Sequence, residues 1–407
     1  MTPLPFDRLF DTRLIPAAVA VFFFFGSPGT VYRADAAESH HEHASRPRAA
    51  ISGVLSLDVY AQDGKLHLLT GLSDGAGARS LWYQGSGDEG KTWLPAVRVD
   101  AHAPVAMFRR GNDAQIAVSG QTMLAVWTGK GTGWGGGGTL VTAVSRDGGK
   151  TWQPAALPAD DESTTTHAFA ELFVDASRFG LAWIDSRNSK SGVRYAWLSE
   201  TGKRWSPNVT VDATTCECCW NSAVTKNGKI FLMYRGNMPR DMMLAVSGDG
   251  AQWQRTGTVG AFNWKIEACP ETGGALIAAP SGAMHALVWT GEDRALGLHY
   301  LVSRDAGASW DAPQRLGSDD ARRSDIAAAP DGTLAAVWDD SSDNVVRASI
   351  SRNGGKSWSV PSPLSIRGDR ALGPRVLAVS GGFRVFWTQA RAGGTAYEWK
   401  SALLAVR

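Results

Sequence analysis

An excess of charge of either sign is nearly absent. The chain has 407 residues, and 41 Lys and Arg stand against 39 Asp and Glu, leaving a formal net charge of +2. So small an imbalance gives no electrostatic footprint for nucleic acid or an acidic membrane surface. After residue 25 no apolar run approaches the roughly 20 residues that a spanning helix needs. Long apolar stripes at helical spacing are few as well, which speaks against a helical bundle. Cysteine is scarce at four residues, and three of those fall within four positions, Cys216, Cys218 and Cys219. Glycine and tryptophan are plentiful, 46 and 17, and both are spread along the chain. That combination predicts short strands joined by tight turns, an all-β chain.

The first 36 residues read as an export signal. Arg8 and Arg13 precede the apolar run Leu14 to Phe25, followed by the helix breakers Gly26, Pro28 and Gly29. Ala34-Asp35-Ala36 then fits a small-x-small cleavage site. An uncleaved membrane anchor is the alternative. The expected location is periplasmic or secreted, with no transmembrane segment in the mature protein and disulfides able to persist. Residues 37–48 read as a disordered leader. Its His40, His41 and His43 could hold Cu²⁺ or Zn²⁺ weakly. Residues 49–407 read as a single domain.

A repeat organises that domain. Ser-x-Asp-x-Gly-x-Thr/Ser-Trp occurs at Ser86–Trp93, Ser145–Trp152 and Ser303–Trp310, and with Asn353 for Asp at Ser351–Trp358. Copies one residue shorter end at Trp205 and Trp253. The closing tryptophans recur every 48–59 residues. Within each copy the carboxylate can accept backbone N–H bonds of its own turn. The glycine supplies positive φ, and the indole can pack between neighbouring sheets. A residue present at every hairpin serves the fold, so these aspartates are not read as catalytic. Around each copy four strands are expected, in units starting near Val54, Ala114, Glu171, Ser222, Gly274, Ser324 and Pro374. In the sixth unit these are Ser324 to Ala329, Leu334 to Trp338, Val345 to Ser351 and Trp358 to Ile366. The last unit lacks its fourth strand, which Arg48 to Ser52 could supply. From Ala49 onward the spacing accommodates seven units better than six, six remaining the alternative.

This pattern resembles the sialidase superfamily, whose BNR or Asp-box repeats build β-propellers. The resemblance implies a propeller of four-stranded blades closed by N- and C-terminal strands. It also implies an exo-α-sialidase-type glycoside hydrolase acting on terminal acidic sugars, with three carboxylate-binding arginines, a Tyr–Glu nucleophile pair and an acid Asp. Arg235, Arg375 and Arg109 stand where binding arginines could fall, and Glu171 with Tyr397 can be drawn as the pair. The chain departs from the pattern in two places. The Arg-Ile-Pro-like motif before the first unit is missing, and no Asp follows the first arginine in the acid's place. Glycosidase chemistry is therefore not the expected activity.

The cysteines carry a sharper signal. Thr215-Cys216-Glu217-Cys218-Cys219-Trp220 lies about one repeat before Cys269. Both segments precede a first strand, so in a propeller they meet on adjacent blades at the mouth opposite the Asp boxes. The same face gathers Arg109, Arg110, His167, Glu171, Arg322, Arg323, Arg370 and Arg375. The loops between second and third strands add Asp185, Arg187, Arg235, Arg240 and Asp241. Three readings of the cysteines stand open: disulfides, a copper or zinc site with His167 as a further ligand, and a redox thiol. The expected function is binding of a soft metal or an anionic ligand at this mouth. Expected partners are a small anionic or glycan ligand, or a periplasmic protein.

Overall fold

The computed structural model describes residues 51–406 apart from 109–110, 134–135, 188–189 and 200–202. The signal segment, the histidine leader, Arg109 and Arg110 lie outside the described residues. The described chain is all-β, with strands joined by turns and a 3-10 turn at Asp293–Ala295. Among the described residues no helix is long and apolar enough to cross a membrane.

Among the described residues, five separate sheets have four strands each, and a sixth has seven. Every sheet is an antiparallel meander in chain order, apart from one short parallel contact. The first strands are Ser52–Gln62, Gln115–Ser119, Ala168–Asp175, Ser222–Lys226, Gly274–Ala278, Ala321–Ala328 and Arg370–Val379. Each lies beside the next, and the last lies beside the first. The sheets thus form a β-propeller with the first strands innermost. Second strands such as Met284–Thr290 and Leu334–Asp340 are buried along their whole length. They are covered on both faces, which is why they read as continuous apolar runs rather than alternating ones. The apolar clusters lie between sheets: Leu81 and Tyr83 of the first pack with Ile116 and Trp127 of the next.

The repeat motif does what its chemistry suggests. Asp147 Oδ1 accepts from Lys150 N and Thr151 N at 3.0 Å, and its Oδ2 accepts from Thr151 Oγ1 at 2.6 Å. Ser145 Oγ donates to Asp147 and accepts from Gly149 N. Gly149 has φ +88, and a Cβ there would collide with the Tyr83 ring of the preceding sheet. The box tryptophan packs on that same tyrosine, with Tyr83–Trp152 centroids 5.7 Å apart. Tyr195–Trp253 and Tyr300–Trp358 repeat the arrangement. Among the described residues the indole N–H groups of Trp152, Trp310 and Trp358 find no acceptor, so these rings act by packing.

Two expectations need correction. The fourth strand of the sixth unit shrinks from Trp358–Ile366 to Ser362–Pro363. Prolines at 361 and 363 remove the N–H groups a longer ladder would need. The missing strand of the last unit is not replaced by a full partner. Ser52 and Gly53 pair in parallel with Ala396 and Tyr397, and the chain then enters its own first strand. Gly53 takes φ +78 with its α-carbon against the Tyr397 carbonyl, where no side chain fits.

Candidate functional site

The axis is lined by polar side chains on the first strands. Asp58 accepts from Ile116 N, Gln115 from Leu172 N, and Glu171 from Ala223 N. Ser222 accepts from Leu276 N and Asp325 from Val376 N. An innermost strand has an unpaired edge whose N–H groups need acceptors. Here five of the seven first strands supply one for their successor. Glu171 is thus a link between sheets. Burial pushes its carboxyl up to about 7, against the Ala223 N–H bond that favours the anion. Burial raises Asp58 to about 6, against the Arg375 charge. Arg375 faces Asp58 at 3.8 Å and feels Asp325, Glu171 and Asp113 as well. Tyr397 lies on the third strand of the last unit, under the Arg370 guanidinium, paired to Gly53. It is not joined to Glu171, because the innermost and third strands of different sheets hold them, and the nucleophile pair drawn from resemblance does not assemble.

Alternate connections of a meander lie at one end, so the loops entering each first strand share a face with the second-to-third-strand loops. The segment 213–221 is such an entry loop. Thr215 bridges to Gly236, and Cys216 N donates to Arg235 O at 3.0 Å. Beyond the cysteines, Trp220 Nε1 donates to Asp113 Oδ2 at 2.7 Å, and Asn221 Nδ2 donates to Phe169 O. The loop is therefore pinned at both ends against two neighbouring sheets.

Between those pins the sulfurs converge. Cys216 Sγ lies 3.3 Å from Cys219 Sγ and 3.6 Å from Cys218 Sγ. All three residues are buried and pack with Phe169, Tyr234 and Met243. All four cysteines are free thiols, Cys269 exposed. Cys269 donates to Glu217 Oε1 at 3.3 Å, and Glu217, Cys218 and Cys269 have ligand atoms within 4.8 Å of one another. The expected meeting of Cys269 with the triple is thus observed. Arg240 Nη1 donates to Cys216 Sγ at 2.9 Å and to Glu217 Oε2 at 3.3 Å. Thiol donors from Cys218 and Cys219, then the Arg240 charge, hold Cys216 far below the usual thiol range. Burial pushes Cys219 up, and its two neighbours push Cys218 up. The cluster thus presents one thiolate cradled by two thiols and a guanidinium.

Other site expectations resolve differently. His167 does not join the sulfurs. It is fully buried, its Nδ1 facing Thr165 O and its Nε2 facing Asp161 Oδ1 at 3.0 Å. Asp185 lies 3.9 Å away, already bonded by Trp183 and Arg187. Arg235 is fully buried, donating to the carbonyls of Thr272, Arg240 and Trp289, and no face of it is open to a ligand. Asp241 accepts from Asn263 N and Trp264 N, clasping a loop. Arg323 pairs with Asp339 at 2.6 Å, and Arg322 lies 4.5 Å over the Trp289 ring. Sequence reasoning missed Glu217 as a participant and the axial links. Polar residues recurring at the first strands, Asp58, Gln115, Glu171, Ser222 and Asp325, were the available signal for the latter.

Comparison with known proteins agrees with this architecture. The BNR/Asp-box repeat family matches residues 143–154. No curated protein matches the sequence. Among solved structures, an ulvan lyase of a polysaccharide lyase family is similar with a TM-score of 0.57 at 10% identity, covering 88% of this chain and 95% of its own. The polysaccharide lyase Uly1 gives 0.54 at 11%, over 90% and 94%. An α-L-arabinofuranosidase of Fusarium graminearum gives 0.52 at 15%, over 75% and 97%. At such identities the likeness speaks to fold. With the repeat, its tyrosine-backed tryptophans and the ring of first strands, the chain is an Asp-box β-propeller.

Proposed function

We propose that this chain is an exported, seven-bladed propeller that holds one soft metal ion in its cysteine loop, and that it is not a glycosidase. The carrying observation is the spacing of three buried sulfurs, 3.3 and 3.6 Å from Cys216. Thiolates bound to a common tetrahedral ion at about 2.3 Å stand about 3.8 Å apart, close to that spacing, whereas a disulfide needs about 2.05 Å. Donor type supports copper(I) before zinc(II). Among the described residues the buried triad offers three sulfurs and no fourth ligand, whereas a structural zinc site ordinarily closes with four. Arg240 offsets part of the thiolate charge at Cys216. Buried charge is costly unless balanced, and soft thiolates select soft ions. Seven blades are supported by the two-residue parallel contact in the seven-stranded sheet, where a division leaves the last blade three-stranded. Export rests on the signal-like segment before residue 37.

A second reading is favoured by the similar solved structures, several of which are named for acting on polysaccharides. Arg322, Arg323 and Arg375 keep 27%, 30% and 32% of their side chains accessible on the mouth, where an acidic sugar would meet them.

The test is metal analysis of the whole chain loaded and washed without oxygen, beside an aryl sialoside assay. About one copper per chain is expected, falling below a tenth in Cys216→Ser, with no sugar released. Four free thiols that retain no metal would overturn the metal reading. Hydrolysis abolished by Glu171→Gln would restore the glycosidase.

A further inference from the structure

The sulfurs form two overlapping triads with different access to solvent. Cys216, Cys218 and Cys219 make the buried one. Glu217, Cys218 and Cys269 make the second, in which Glu217 and Cys269 are exposed and Cys218 is shared. A site meant only to brace the fold would close all its ligands away from water. Here one ligand belongs to both the inner and the outer position, and the outer position opens to the surface.

We propose that the loop is a metal-exchange device, in which copper(I) rests in the inner triad and leaves or enters through the outer one. The inference rests on the copper reading above and adds the route and the partner class. In the outward step the bonds to Cys216 and Cys219 break while bonds to Cys269 and Glu217 form. Cys218 stays bound throughout, and the oxidation state is unchanged. Arg240 spans the two positions, donating to Cys216 in one and Glu217 in the other. As the ion moves outward, Cys269 gives up its thiol proton on binding and Cys219 takes up one on release. Cys216 is left as a thiolate still paired with that guanidinium, so no bare charge remains in the interior. The outer position also mixes one carboxylate oxygen with two sulfurs, a weaker set for a soft ion than three thiolates. The buried position is therefore the resting one. The partner is a soft-ligand donor or acceptor, a protein or small molecule presenting thiolate or thioether groups that can displace Glu217 and then Cys269.

The experiment compares equilibrium binding with exchange rate. The whole chain is loaded with one equivalent of copper(I) without oxygen, and bathocuproine disulfonate is added as a coloured competitor. For Cys269→Ser, about one copper per chain is expected at equilibrium, as in the unaltered chain, with transfer to the competitor slowed at least tenfold. Glu217→Gln should slow it less. Circular dichroism confirms that each variant is folded. Unchanged transfer in Cys269→Ser would overturn the route while leaving the copper site standing. Loss of copper from Cys269→Ser as complete as from Cys216→Ser would replace the two positions with a single four-sulfur site. Absence of copper binding by the unaltered chain would instead sink the reading beneath.

Discussion

Asp147 and Asn353 occupy the same place in two turns and differ in whether they can ionise. The side-chain bond from Thr151, with backbone bonds beside it, holds Asp147 down at about 2. Asn353 makes the matching bonds with an amide, accepting from Ser357 N and donating to Ser357 Oγ. A depressed carboxyl adds stability above its unfolded pKa, about 3.9, and loses it as pH falls through the folded value. The melting temperature of Asp147→Asn should therefore lie below that of the unaltered chain near about pH 5, and the gap should close by about pH 2. Asn353→Asp should show the reverse gain. A gap that does not change with pH would remove the charge from the account. Arg235 makes the opposite kind of prediction. Three buried carbonyls depend on it, so Arg235→Met should cost about 3 kcal/mol or more in urea unfolding. A neutral result would mean that those carbonyls have other donors.

The first strands explain what the sequence could and could not disclose. Strand positions and turn chemistry were legible because each depends on residues a few positions apart. The tyrosines that back the box tryptophans lie about a repeat away on the preceding sheet and were not. The links from Asp58 to Ile116 or Glu171 to Ala223 span a whole repeat and depend on which edge faces the axis. That made Glu171 look like a nucleophile when it serves as an acceptor for its neighbour. His167 failed for a different, local reason: Asp161, on its own entry loop, claims the nitrogen that a metal would need. Raised carboxyls give a test. Glu171 and Asp58, at about 7 and about 6, bind protons in the folded state that the unfolded chain has released. Stability from this source is full below about pH 4 and is lost as pH rises through about 7. Glu171→Gln keeps the acceptor and removes the titration. Its melting temperature should fall less than that of the unaltered chain between about pH 5 and about pH 7.5. Equal slopes would show that Glu171 does not titrate there.

At the scale of the molecule the propeller turns sequence distance into proximity. Cys216 and Cys269 are one repeat apart in the chain, and the step from one sheet to the next brings both to the same loop cluster. Propeller geometry made that meeting legible in advance. The sharing of Cys218 and the bond from Arg240 to Cys216 required the folded loops, because Arg240 arrives from the second-to-third-strand turn of the following sheet. The solved structures that share this architecture at 10–15% identity show how widely it is reused, so the chemistry must be sought in the loops. The identity of the atoms around a bound copper ion tests the central claim most directly. X-ray absorption at the copper edge, on the whole chain loaded with one equivalent of copper(I), should show a first shell of sulfur alone, about three atoms at about 2.3 Å. A first shell of nitrogen and oxygen, unchanged in Cys216→Ser, would contradict it.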